Sequence, residues 1–346
     1  MGYRGIGVAN VWHNDPLIFY SNPALSALHE GLSYGYRHEN WLKGSGYEDF
    51  YYDVGLLNLC YKGVAITLPA PNDTDRFGVN FDYGKVSYTT EDIFGPVLYY
   101  NPQESAQVYG LSVNTLDTIL NRQDYPDFLQ NIDICVGVNL LQIRSDIVPA
   151  GLVQEQNLVR HPFANSINAG GIIRYEYWLN RFVKLEGVYG HALFNVNKDK
   201  IKYRNDYPAD TIYRHSNQGV AGAFTLVSQK PIFAWQGDSQ DVLSCRVLAS
   251  VIDNYNSNKD ITAKGFEIGL MDVFYIRQGY YDYSSGHITG NTYGYGVNLN
   301  YKKLVSYSYN YSSIPGGDLV NRIKSSDHSV TVNFMELFAP NTQTKQ

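Results

Sequence analysis

Long apolar runs are missing from this chain. No stretch approaches the roughly 18 consecutive apolar residues that a membrane-spanning helix requires. The longest, 54–61 and 132–141, are the size of strands. Cysteine is scarce: Cys60, Cys135 and Cys245 are far apart, odd in number and without CxxC or Cys/His spacing. Neither a disulfide framework nor a zinc site is therefore indicated, and no metal or other cofactor is expected. Charged residues make up only 17% of the chain, against roughly 25% in ordinary soluble domains. The net charge is -6 and no run of Lys or Arg occurs, so a nucleic-acid partner is not expected. HExxH, P-loop and GxGxxG patterns are absent as well.

What the chain has in excess is tyrosine and glycine, 31 of each. Glycine serves tight turns, and tyrosine serves surfaces that are apolar at one end and wet at the other. The arrangement is more telling than the amounts. Val297, Leu299 and Tyr301 alternate with Asn298 and Asn300. Val305, Tyr307, Tyr309 and Tyr311 alternate with Ser306, Ser308 and Asn310, and Val330, Val332 and Phe334 alternate with Thr331 and Asn333. A period of two means strands whose two faces meet different solvents. Here the polar face is Asn, Ser, Thr and Gly rather than Lys and Glu. That suits a barrel with lipid outside and water inside better than a soluble sandwich. The mean hydropathy of -0.29 agrees, because half of each such strand faces a wet lumen.

The expected fold is therefore all-β: a transmembrane antiparallel β-barrel of about fourteen strands. Fifteen strand segments are predicted, at 31–39, 50–61, 63–69, 76–90, 105–115, 132–144, 168–179, 182–195, 218–229, 242–253, 262–271, 272–282, 290–301, 303–312 and 327–338. Two of them must merge, or one must not span, because such barrels have even strand numbers. Polar stretches at 116–131, 145–167, 196–217, 231–241, 283–289 and 313–326 read as loops, the first with room for a short helix. Tight turns at 61–63 and 301–303 alternate with them. Lipid-facing positions are then Val297, Leu299, Val305, Tyr307, Val330 and Val332. Lumen-facing polar positions are Asn298, Asn300, Ser306 and Ser308, with Lys184 and Glu186, which share one face of their strand. The first 28 residues differ from the rest. Asp15-Pro16 and Asn22-Pro23-Ala24 each read as a helix N-cap followed by proline, predicting helical turns at 16–20 and 23–28. Three units result: 1–28, a barrel over 29–338, and a tail at 339–346. Met1-Gly2-Tyr3-Arg4 shows neither the basic start nor the apolar core of a secretory signal, so an outer-membrane reading expects the mature chain.

Two regions carry a resemblance. Asp15-Pro16, then Tyr20-Ser21-Asn22-Pro23-Ala24-Leu25, resembles the Asn-Pro-Ala hatch segment of the FadL-like outer-membrane barrels, and is closest to their PorV/PorQ branch. Gly265-Phe266-Glu267-Ile268, Ile276-Arg277-Gln278-Gly279-Tyr280, Tyr293-Gly294-Tyr295-Gly296-Val297-Asn298 and Val305-Ser306-Tyr307-Ser308-Tyr309 resemble that branch too. The likeness covers roughly 5–30 and 262–338. It implies an N-terminal hatch or plug in the lumen of a bacterial outer-membrane barrel. It also implies a place in the type IX secretion machinery of Bacteroidota, with cargo or partner proteins, other outer-membrane or secretion-system proteins among them, bound through the loops. The alternative it implies is a FadL-type channel whose partner is a hydrophobic small molecule. Outer-membrane lipids surround the barrel on either reading.

No catalytic constellation is expected. Ser326-Asp327-His328 holds triad residue types, but neighbours on a strand point to opposite faces. Glu48-Asp49 and Glu91-Asp92 read as solvated carboxylates at strand ends, and His13 near Asp15 as part of a turn.

Overall fold

The computed structural model describes residues 22–40, 51–69, 79–82, 86–88, 98–100, 103–119, 126–146, 162–203, 208–212, 214–230, 232–233, 235, 240–254, 261–283, 288–302, 304–316 and 322–333. Almost everything among them is strand. In chain order these are β1 (Gly31–Asn40), β2 (Tyr51–Tyr61), β3 (Val64–Pro69), β4 (Val79–Asp82), β5 (Val86–Tyr88), β6 (Leu98–Tyr100), β7 (Gln103–Asn114), β8 (Ile132–Asp146), β9 (Phe163–Asn180) and β10 (Val183–Phe194). They continue as β11 (Lys200–Ile201), β12 (Asp210–Thr211), β13 (His215–Ser228), β14 (Gln240–Asn254), β15 (Ile261–Leu270), β16 (Phe274–Tyr283), β17 (Ile288–Tyr301), β18 (Val305–Pro315) and β19 (Arg322–Val332). Two short helices, α1 (Thr115–Ile119) and α2 (Asp127–Gln130), lie between β7 and β8.

The strands form a closed antiparallel barrel of fourteen positions. Each long strand pairs with its neighbours in sequence, and β1 closes the ring by pairing with both β19 and β2. One position is shared. β3 pairs with the lower part of β2 and β7, β4 with the upper part of the same two strands. This is where the fifteen predicted segments become fourteen: 63–69 and the start of 76–90 are two pieces of one wall strand. The rest of 76–90 departs from expectation, since β5 leaves the wall and pairs only with β6.

The two faces differ as alternation demands. One parity exposes Leu59, Ile66, Leu68, Leu111, Val136, Val138, Ile173, Val247 and Ile276. The other parity is buried, and carries Asn58, Thr67, Ser112, Asn139, Ser166, Arg246, Glu267, Arg277 and Asp327. An exposed aliphatic face around a closed ring can only be the outside. The barrel is thus apolar outward and its polar groups pair inward.

Four connections at one end are short: 62–63, 181–182, 271–273 and 302–304. Met271 and Asp272 both take positive φ (55° and 52°), as do Lys62 and Gly63 (49° and 72°). Two consecutive positive φ values match the primed hairpin turns, whose twist agrees with that of the strands. The connections at the opposite end are longer on the whole. Several predicted loops prove shorter than expected there. β9 begins at Phe163, β13 at His215, β18 runs to Pro315 and β19 starts at Arg322, all inside segments read as loop from their Asn, Ser and Pro content. Alternation continues through them, and cross-strand pairing such as Ile314↔Ile323 outweighs the local turn preference of those residues. The predicted turn at 16–20 and the tail at 339–346 lie outside the described residues.

Candidate functional site

Residues 23–28 form a 3₁₀ helix, where the sequence placed a helical turn. Asn22 caps it, its Oδ1 accepting from the Ala24 amide at 3.0 Å, with proline at the first helical position. This segment lies on the inner wall, against β7, β8 and β9, with β2 and β3 at its margin. Asn22, Ala24 and Leu25 are wholly buried. Two paired glycines make the seat. A Cβ on Gly137 would stand 2.6 Å from the Pro23 carbonyl oxygen, and one on Gly170 would collide with the Asn22 side chain. Gly137 and Gly170 face each other across β8 and β9. Polar contacts complete the fit. Asn22 Nδ2 donates to the Gly171 carbonyl at 3.0 Å, and Ser26 Oγ lies 3.1 Å from Thr67 Oγ1, which donates to Asn58 Oδ1 at 3.1 Å.

Beside the segment the inner wall is apolar. Ala24, Leu25 and Ala27 share one cluster with Val54 and Leu56 of β2, Ala106 and Val108 of β7, Cys135 of β8, Ile172 of β9, Val188 of β10, Ala221 and Ala223 of β13 and Leu248 of β14. The sequence predicts a lumen of Asn, Ser, Thr and Gly, so this apolar half is a correction. The missed signal is the pairs Val54/Leu56 and Ala106/Val108, which share the parity of the buried Asn58 and Ser112. On these strands both faces are apolar, and alternation therefore hides the inner one.

The wall position that β3 and β4 share lies next to that cluster. On β2, Leu56 pairs with Pro69 and Val54 with Val79, leaving only Gly55 between. On β7, Gly110 pairs with Thr67 and Ala106 with Val79, leaving Gln107, Val108 and Tyr109. Residues 70–78, between Pro69 and Val79, lie outside the described residues.

The remaining inner wall is charged and polar. Glu267 receives Arg246 Nη1 on Oε1 and Arg277 Nε on Oε2, both at 2.5 Å. Both guanidiniums flank the Tyr275 ring, at 5.8 and 5.4 Å from its centroid. Arg37 pairs with Asp327 at 2.5 Å, and Arg174 with Asp133 at 3.2 Å. In the turn after β15, burial raises the carboxyl of Asp272 above its usual range, and a hydrogen bond from Tyr275 partly counters this. The ion triad went unnoticed in the sequence. Glu267 sits between Phe266 and Ile268, and Arg277 follows Ile276, so the alternation already placed both charges opposite the apolar face.

The predicted residues fall as follows. Asp15 and Pro16 lie outside the described residues, whereas Asn22, Pro23 and Ala24 belong to the segment on the inner wall. Lys184 Nζ stands 3.9 Å from Glu176, and Glu186 3.9 Å from Arg174. Asn298, Asn300, Ser306 and Ser308 are half-buried on the inner parity, with Ser308 Oγ 2.5 Å from Ser329 Oγ. Leu299, Val305, Tyr307 and Val330 are exposed on the outer parity, and Val297 and Val332 are half-buried on it. His328 takes the Tyr307 hydroxyl on its outward ring while Asp327 turns inward to Arg37, so the two do not converge.

No family model matches the chain, and no curated protein does. Among solved structures it is similar to the Pseudomonas putida toluene transporter TodX, at 11% identity and a TM-score of 0.40 over 96% of this chain and 98% of that one. It is also similar to the CymD monoaromatic hydrocarbon channel, at 9% identity and a TM-score of 0.41 over 95% of each chain. A Rh. blastica porin mutant follows at 14% identity and a TM-score of 0.28. At such values these similarities decide nothing about what the barrel handles.

Proposed function

We propose that this barrel is an outer-membrane conduit for small hydrophobic molecules. On this reading the segment at 22–28 occludes the lumen as part of a hatch and covers the apolar inner cluster. The observation that carries it is the apolar inner cluster beneath the capped segment. A water-filled pore has no use for Val54, Leu56, Ala106 and Val108 on its inner face, because apolar surface there costs roughly 25 cal/mol per Å² when wetted. A path for an apolar solute needs that surface. Movement of the capped 3₁₀ helix would uncover it. No catalysis belongs to this reading.

The test is uptake of an apolar fluorescent dye by vesicles containing the refolded protein. Leu56→Glu, which places a charge in the path, is expected to reduce uptake at least tenfold while the barrel stays folded. Unchanged uptake, or delipidated protein that takes up no apolar ligand at all, would sink the reading. The secretion-partner role implied by the PorV/PorQ resemblance draws no support from the described residues, and much of the loop sequence it would use, such as 147–161, lies outside them. Co-purification with secretion-system subunits from native membranes would displace the conduit.

A further inference from the structure

The outer face of β1, β17, β18 and β19 changes character along the strands. Near the short-turn end it carries Leu32, Leu299, Val305, Val330 and Val332. Further along, Tyr36, His328 and Tyr309 stand side by side across three strands. Tyr295 and Tyr311 follow, their rings 5.0 Å apart. At the long-loop end the face finishes in cations, Arg322 and Lys324. From Val332 back to Lys324 the strand covers about 26 Å at a rise of ~3.3 Å per residue. At the tilt of about 40° usual in membrane barrels this is about 20 Å of height, most of an apolar band about 25 Å tall that aromatic girdles flank.

At this level lies a cavity of about 320 Å³, lined by His38, Tyr309, Tyr311, Arg322, Lys324 and Ser326 of the outer face together with Ser325. Arg322 is held rigidly. Its Nε donates to Ser313 Oγ at 2.6 Å, and its Nη2 donates to the carbonyls of Ser313 and Asn291 at 2.8 and 2.9 Å. Its guanidinium lies over Tyr293, 4.4 Å from the ring centroid. Lys324 is exposed and forms no ion pair among the described residues. No carboxylate among them lines the cavity.

We propose that this cavity binds the phosphate of a lipid headgroup in the leaflet that meets the long-loop end. The inference rests on the membrane-barrel reading above. A guanidinium fixed in orientation, with Nη1 left to donate, and an exposed ammonium across one cavity form an anion site, and tyrosine hydroxyls belong at headgroup depth. The source is a lipid rather than free phosphate because below the cations the same outer face runs through the aromatic level of Tyr311, Tyr309 and His328 to the aliphatic Val305 and Val330. Acyl chains would lie along that strip while the phosphate occupies the cavity.

Native mass spectrometry of the detergent-solubilised protein tests this, with phosphatidic acid as the probe and diacylglycerol and inorganic phosphate as controls. Phosphatidic acid is expected to form a stable adduct that diacylglycerol does not. Lys324→Gln, at an exposed position, is expected to weaken it about fivefold, with Lys324→Arg restoring it. Equal adducts with diacylglycerol, competition by inorganic phosphate at equal concentration, or an unchanged K324Q would overturn the proposal. A heat-modifiable barrel that fails these tests leaves the membrane reading standing, whereas protein folded in water without detergent ends both.

Discussion

The two halves of the inner wall are held by opposite means. In the half around residues 22–28, aliphatic side chains from β2, β7, β8, β9, β10, β13 and β14 meet a short capped helix. In the other, Arg246 and Arg277 meet Glu267, Arg174 meets Asp133, Arg37 meets Asp327, and hydroxyls meet one another. The first half gains from excluding water and could release its cover to an apolar guest. The second is tied by directional pairs that lose their partner outright when one member goes. The conduit reading uses both, because packed apolar contacts can be exchanged for similar ones while a buried ion pair cannot.

That contrast can be broken most severely on the charged side. Glu267→Ala strands Arg246 and Arg277 without their carboxylate, and is expected to cost about 3–5 kcal/mol. Denaturant unfolding of the refolded barrel reads the loss, and an unmoved transition would show that the triad does not brace the wall. On the apolar side, Leu25→Ala is expected to weaken docking of the segment by about 2–5 kcal/mol. Amide exchange should then speed up over 22–28 but not over β15–β19, whereas equal acceleration in both would erase the distinction. Gly137→Ala presses a methyl against the Pro23 carbonyl, an overpacking of about 1–3 kcal/mol. It sharpens the comparison, since it should raise dye uptake without lowering barrel stability. The smallest effect belongs to Ser26→Ala, which removes the contact with Thr67 at about 1 kcal/mol and should be detected only as faster exchange at the helix.

Much of this was legible in the chain. The Val305–Tyr311 and Val297–Tyr301 alternations placed their strands and the sidedness of each residue, and Asn22-Pro23 announced the capped turn. Other features were not. Strand ends at Phe163, His215 and Arg322 lay inside polar stretches, where pairing with a neighbour decides what local preference leaves open. Val54 and Val108 read only as strand residues, since nothing along their own segments distinguishes an inner apolar face from an outer one. The single wall position shared by β3 and β4 was visible only as one segment too many.

Period-two alternation by itself determined the class of fold and the faces of the later strands, because a side chain's direction along a strand follows from its position alone. Only the tertiary structure decided which inner residues meet across the lumen, that Gly137 and Gly170 form one seat for Asn22 and Pro23, and that Leu56 and Val108 share one apolar cluster with that segment. Those are relations between strands far apart in sequence, set by closure of the ring and its register, and no local pattern encodes them.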